Sequence, residues 1–400
     1  MIGISKLYCR TVEPSDALRY GRDSKKLPSH LLQFSKDKKP VVVWNVTQRC
    51  NLRCVHCYAH SKDIEYKNEL TTEEGMALID DLADFGCPVI LFSGGEPLMR
   101  KDLPELAGYA RSKGIRAVIS TNGTLITEEV AKKLKDIGLS YVGISLDGMK
   151  ETNDRFRGQE GSFEKAIQGV HNCQKEGIKV GLRFTINRHN VQDIPAIFDL
   201  LDKENIPRIC FYHLVYSGRG SEMINEDLSL EESRKTVDLL MDKTKELHEK
   251  GKMVEVLTVD NHCDGPYIYM RLLKEDPERA GEVLDLLQMN RGNSTGIGFG
   301  CISWDGSVHP DQFWRHYSFG NIRDRKFSEI WRDTSNELMA GLKERKPLIM
   351  ENADRCAKCK WFDVCNGNFR VRAEAIYGNT WADDPACYLT KEEIGYEDFE

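Results

Sequence analysis

The sequence predicts an α/β fold, a partial (β/α)6 barrel of the TIM type with a cysteine-rich C-terminal extension. Three observations carry that expectation. Short β-branched runs alternate with amphipathic stretches from about residue 40 onward. Several runs are near-continuously apolar, as strands buried on both faces must be. Polar and glycine-rich residues gather just after the runs, at the end where an α/β barrel carries its active site.

Taken in order, residues 1–39 show no strong period and are read as an N-terminal arm or cap. The strand runs are VVVWNVT (41–47), PVILFSGG (88–95), AVISTNG (117–123), YVGISLDG (141–148), KVGLRFTIN (179–187) and RICFYHLV (208–215). Thr71 with Glu74, and Asp102 with Glu105, have the spacing of helix capping boxes. Gly86, Gly114, Gly138 and Gly177 follow helix-like runs, where C-terminal caps belong. Six strand–helix units imply a parallel barrel, complete or partial. Residues 229–250 read as a long charged helix, and MVEVLTVDN (253–261) as a candidate further strand. The barrel is therefore placed at 40–250, a bridging segment at 251–289, and an irregular Gly-, Asn-, aromatic- and Cys-rich domain at 290–400.

Composition narrows the function. A net charge of −7 argues against a nucleic-acid partner. No apolar run reaches the roughly 20 residues that span a bilayer, and the N-terminal stretch lacks the pattern of a signal peptide. A cytoplasmic location is expected. Thirteen cysteines are many for a reducing compartment, but they are grouped. Clustered thiols suggest metal and scattered ones suggest core.

The first group is Cys50-x3-Cys54-x2-Cys57, directly after the first strand run. Structural zinc favours paired CxxC or Cys/His spacing. Three thiolates from one tight loop suit three irons of a 4Fe–4S cubane, with the fourth iron open. A zinc knuckle completed by His56 or His60 is the alternative. The second group is Cys356-x2-Cys359-x5-Cys365-x21-Cys387. Four thiolates can close one cubane fully, or hold one zinc.

CxxxCxxC after the first strand, followed by Gly94-Gly95-Glu96-Pro97 after the second, resembles the radical S-adenosylmethionine superfamily. The resemblance implies that S-adenosylmethionine chelates the open iron through its amino and carboxylate groups. Glu96 and the nearby backbone would hold the amino group. Ser145 would contact the ribose, and Asn122 and Arg157 would frame the site. The later cysteines resemble the SPASM or twitch extension of these enzymes, which carries auxiliary 4Fe–4S clusters. Phe369 and Asp311 stand where a full SPASM domain has further cysteines, so one auxiliary cluster is expected, with Cys301 a leftover thiol.

The run FYHLVYSGRG (211–220), the opening MIGISKLYCRTVEPSDALRY and the overall plan resemble radical enzymes of modified-tetrapyrrole synthesis. Among these they look most like the side-chain deacetylases of the siroheme-dependent route to haem. The resemblance implies removal of two acetate side chains from 12,18-didecarboxysiroheme, with an electron donor such as ferredoxin or flavodoxin. A related haem d1 enzyme, a peptide-modifying SPASM maturase, and a non-catalytic electron carrier or zinc module stay open. An iron-tetrapyrrole with carboxylate side chains needs guanidinium partners, for which Arg183, Arg208 and Arg219 are candidates. Its iron can take an axial histidine, for which His213, His309 and His316 are candidates. Tyr212, Phe313, Trp314 and Tyr317 could supply a flat aromatic wall.

Overall fold

The computed structural model describes residues 1–12, Asp16, Arg19 and 39–395. Most of the expected N-terminal arm therefore lies outside the described residues. One sheet of ten strands organises them, in the order β1-β8-β7-β6-β5-β4-β3-β2-β9-β10. The strands are β1 (Ile2–Gly3), β2 (Val41–Thr47), β3 (Val89–Gly94), β4 (Arg116–Thr121) and β5 (Tyr141–Ser145), then β6 (Val180–Thr185), β7 (Arg208–Tyr212), β8 (Glu255–Val259), β9 (Phe299–Ile302) and β10 (Val308–His309). From β2 to β8 each strand lies parallel to the next, with helix between. The six expected strand–helix units are all present.

The cause is the apolar content of the strands. Val42, Val43, Trp44 and Val46 of β2 are all fully buried. The helix Thr72–Phe85 turns Leu78, Ile79, Leu82 and Phe85 into the same core. Its start is a complete capping box between Thr71 and Glu74, and it ends at Gly86 with φ +85°, a conformation glycine adopts without strain. The second expected box differs. Asp102 makes no cap hydrogen bond. Its carboxylate instead accepts from Arg100 at 2.8 and 2.9 Å and from Thr72 at 2.7 Å, because a charged partner outbids a neutral backbone amide.

The sheet runs past residue 250. β8 lies within the segment expected to bridge, yet it pairs along its whole length with β7 and is buried throughout. β1 covers its outer edge in antiparallel register, Ile2 opposite Thr258. At the other edge β9 runs parallel to β2, and β10 folds back on β9. Both edges of the barrel sheet are thus paired rather than left open. No helix among the described residues is long and apolar enough to cross a membrane.

Candidate functional site

The C-terminal ends of the parallel strands surround one cavity. Gly94, Thr121, Ser145, Thr185 and Tyr212, the last residues of β3 to β7, all line it. The space not filled by protein atoms is about 990 Å3, counted out to its mouth. That is at the upper end of ordinary ligand pockets.

Cys50, Cys54 and Cys57 form part of its wall. Their loop begins where a β-bulge shifts the β2–β3 register between Asn45 and Thr47; bulges commonly re-aim a chain beside a site. Four elements then hold the loop. Cys50 N–H donates to Lys62 O at 3.1 Å. Arg53 and Val55 donate to Arg157 O and Phe156 O at 3.2 and 3.0 Å. Gly95 and Glu96 donate to Thr47 O and Arg49 O at 2.7 and 2.8 Å. Arg219 donates its backbone N–H to Cys57 O at 3.0 Å, and its guanidinium to Cys54 O at 2.8 Å and Ser61 O at 3.1 Å.

These contacts explain the glycines. A Cβ on Gly95 would sit 2.1 Å from Arg49 O, and one on Gly94 would sit 2.2 Å from Thr47 O. The loop can approach β3 only because both side chains are absent.

Burial pushes the Cys50 thiol well up, helped by the nearby Glu96, Cys54 and Cys57. Such thiols release protons when they take a metal. Arg157 donates to Cys54 Sγ at 3.5 Å, and Leu52 N–H to Cys50 Sγ at 3.4 Å. Hydrogen bonds to sulfur are one of the means by which a protein tunes cluster potential.

Of the residues expected at the cofactor, Gly94, Gly95, Asn122, Ser145 and Arg157 line the cavity with the three cysteines. Glu96 and Pro97 do not. Glu96 is fully buried behind the wall, where its carboxylate accepts from Leu98 N–H at 3.1 Å, Thr121 Oγ1 at 2.7 Å and Asn122 N–H at 2.8 Å. It ties the ends of β3 and β4 together, and burial raises its pKa to about 6.

The expected substrate contacts separate clearly. Arg183 lines the cavity, with its guanidinium 4.9 Å from the Tyr212 ring centre. Among the described residues it has no carboxylate and no hydrogen-bond partner. Arg219 is not in the cavity wall, since its guanidinium is used on the cysteine loop. Arg208 opens β7 at the opposite end of the barrel and pairs with Glu255 at 3.2 Å. His213 lines the cavity. His309 does not, because Ser303 and the Tyr317 carbonyl take its two nitrogens at 2.9 and 2.6 Å. His316 sits in a separate exposed groove, bonded to Glu374 at 3.1 Å. Phe313 reaches the cavity wall, whereas Trp314 is fully buried and Tyr317 exposed.

Sequence reasoning missed Asp260. It follows β8, takes a left-handed backbone (φ +67°) and lines the cavity. Its Oδ2 is buried without a hydrogen-bond partner, and burial raises its pKa to about 6. A polar residue ending a strand-like run was the available signal. Arg372 from the C-terminal region holds this wall by donating to Leu214 O at 3.2 Å and to Asp260 O, while its charge is met by buried Asp384 at 2.8 Å.

The later cysteines also converge. Burial, and then Cys387, Cys356 and Cys359, push the Cys365 thiol well up. Cys356 N–H donates to Asp383 at 2.8 Å, and Arg355 donates to Cys387 O at 3.1 Å. A tetrahedral zinc site needs donors about 2.0–2.3 Å from one point. Among the described residues no group of three or more His, Cys, Asp or Glu side chains is placed to hold a single metal ion. A cubane is larger and spreads its thiolates to separate corners. Asp311 accepts from Thr295 at 2.9 Å and from Phe313 and Trp314 N–H, so it is satisfied by protein donors alone. Cys301 is buried in β9 and accepts from Asn45 Nδ2 at 3.4 Å.

The radical SAM superfamily profile matches residues 44–201, and that of the iron–sulfur cluster-binding SPASM domain matches 298–360. The chain is 80% identical over 99% of both lengths to Fe-coproporphyrin III synthase of Methanosarcina barkeri. It is 41% identical to pre-heme d1 synthase of Dinoroseobacter shibae, covering 89% of this chain and 88% of that one. In fold it is similar to Streptococcus suis SuiB bound to S-adenosylmethionine, with a TM-score of 0.68 at 18% identity over 88% of this chain and 78% of that one.

Proposed function

We propose a function from one premise: the chain belongs to the radical S-adenosylmethionine superfamily, with its iron–sulfur SPASM extension. The enzyme removes two acetate side chains from 12,18-didecarboxysiroheme and gives iron-coproporphyrin III, a step of the siroheme-dependent route to haem. The observation that carries this is the 80% identity, over essentially the whole of both chains, to a synthase of that product. Identity to the haem d1 relative is half as high.

The cavity supports the reading. Carboxylate-bearing substrates need a fixed cation within reach, and Arg183 is a cavity guanidinium with no acidic partner among the described residues. When bound, the cluster and S-adenosylmethionine supply abstraction of a hydrogen atom from an unactivated carbon. Cys50, Cys54 and Cys57 hold three irons and leave the fourth for the cofactor. Gly94 and Gly95 let their loop seat against β3, and Arg219 pins it from the far side. Asn122, Ser145 and Arg157 line the cofactor's part of the cavity. Cys356, Cys359, Cys365 and Cys387 hold one auxiliary 4Fe–4S cluster. The enzyme works in the cytoplasm with a ferredoxin or flavodoxin as reductant and no nucleic-acid partner.

Anaerobic incubation with didecarboxysiroheme, S-adenosylmethionine and dithionite tests this. The product should lose two acetate groups by mass. Release of 5′-deoxyadenosine with no such loss would overturn the substrate and leave the superfamily standing.

A further inference from the structure

We propose that His213 is the axial ligand to the iron of the tetrapyrrole, oriented by a buried Asp264–Tyr388 pair. The proposal rests on the tetrapyrrole reading and deepens it. His213 directly follows the last residue of β7, is 8% exposed and lines the cavity. Its backbone N–H donates to Val259 O at 3.0 Å, which fixes it beside the end of β8. Nε2 lies 3.0 Å from Asp264 Oδ2, and Asp264 is fully buried. The other carboxylate oxygen accepts from Tyr388 O–H at 2.6 Å, so Asp264 cannot rotate away.

Asp264 is an acceptor, so it is Nε2 that carries the proton of this hydrogen bond. Nδ1 is left with its lone pair and has no hydrogen-bond partner among the described residues. A ligating histidine almost always gives its other N–H to a carboxylate or carbonyl, which fixes the ring and strengthens it as a donor.

The other donors in the cavity fit less well. His56 is stacked on Phe156 at 4.7 Å, and its Nδ1 is buried away from open space. Tyr58 O–H is engaged with Asn45 Oδ1 at 3.1 Å and Ser93 Oγ at 3.2 Å, and the Tyr212 ring is covered by the Arg183 guanidinium. Thr185 of β6 pairs with Tyr212 of β7, which brings Arg183 onto the strand beside His213. One ligand to the iron and one cation for a side-chain carboxylate together fix the plane and the rotation of the macrocycle. Tyr388 also directly follows Cys387, so this ligand is anchored on the loop of the auxiliary thiols.

The test is an anaerobic titration of the full, iron–sulfur-loaded chain with iron-coproporphyrin III and with iron-free coproporphyrin III. The wild type should bind the iron form at least tenfold more tightly, and its ferrous complex should show a histidine–iron stretch by resonance Raman. His213→Gln should lose both the preference and the band while keeping its iron–sulfur content, and imidazole should restore the band in His213→Ala. Asp264→Asn should keep the band at lower frequency, a readout that does not depend on the folding of the His213 variants. Retention of the band in His213→Gln, or an unshifted band in Asp264→Asn, overturns the proposal. Equal binding of both porphyrins without the band overturns it but leaves the tetrapyrrole reading. Binding of neither removes both.

Discussion

Gly95→Ala puts the docking of the cysteine loop to the test with a single methyl group. Gly95 is not in the left-handed region, so alanine is compatible with its backbone and the effect is steric. The new Cβ would lie 2.1 Å from Arg49 O and 2.6 Å from both Arg49 C and Gln48 O. These are backbone atoms of the loop and cannot swing aside. Overpacking of this kind costs about 1–3 kcal/mol. The hydrogen bonds from Gly95 and Glu96 to the loop, 2.7 and 2.8 Å long, are also disturbed, each worth about 0.5–1.5 kcal/mol. The sum, about 2–6 kcal/mol, falls on one loop of a chain whose total stability is on the order of 5–15 kcal/mol. The fold should survive while the loop detaches. After anaerobic reconstitution, iron should fall from about eight to about four per chain, because only the auxiliary cubane remains. Reductive cleavage of S-adenosylmethionine should be lost with it. A variant that keeps about eight irons and a wild-type yield of 5′-deoxyadenosine would refute this account of the glycine motif.

Arg219→Ala and Arg183→Ala should fail in opposite ways. The first loses two charged-donor bonds to the loop, about 1.5–3 kcal/mol each, and should lower cluster occupancy while tetrapyrrole affinity holds. The second should keep its iron and bind iron-coproporphyrin III about tenfold or more weakly, as read by absorbance titration. Cys301→Ala should leave the iron count unchanged by colorimetric assay, since the thiol is spent on Asn45. Glu96 gives a pH test in the cluster-free protein. Its folded pKa, about 6, lies above its ordinary 4.5. Below that ordinary value both states are protonated and there is no penalty; as pH rises to about 6 the unfolded chain releases its proton first, so wild-type stability falls by about 2 kcal/mol. Glu96→Gln cannot titrate, so its stability relative to wild type should rise by that amount across the window in urea unfolding. A difference that stays flat with pH would contradict the burial argument.

Much of this was legible because the informative residues are local. The strand runs, Cys50 to Cys57 and Gly94 to Pro97 each lie within one short stretch, and strand ends fix where they meet. What could not be read depends on distance. Arg219 looked like a free guanidinium for a substrate carboxylate, but its acceptors, Cys54 O and Ser61 O, come from about 160 positions earlier. Asp102 has the spacing of a cap, yet Arg100 and Thr72 take its carboxylate. Three histidines were equivalent in sequence, and only packing separates His213 from His309 and His316. Asp260, Asp264 and Tyr388 carry no motif at all. They matter because β8 joins the barrel sheet and the C-terminal chain closes over its end.

The most direct measurement of the central claim is the mass of the tetrapyrrole after anaerobic turnover with didecarboxysiroheme. Stepwise loss of two acetate groups is expected, through a species that has lost one, to iron-coproporphyrin III, with 5′-deoxyadenosine formed alongside. An unchanged tetrapyrrole, in a preparation that carries its iron and still cleaves S-adenosylmethionine, would contradict it.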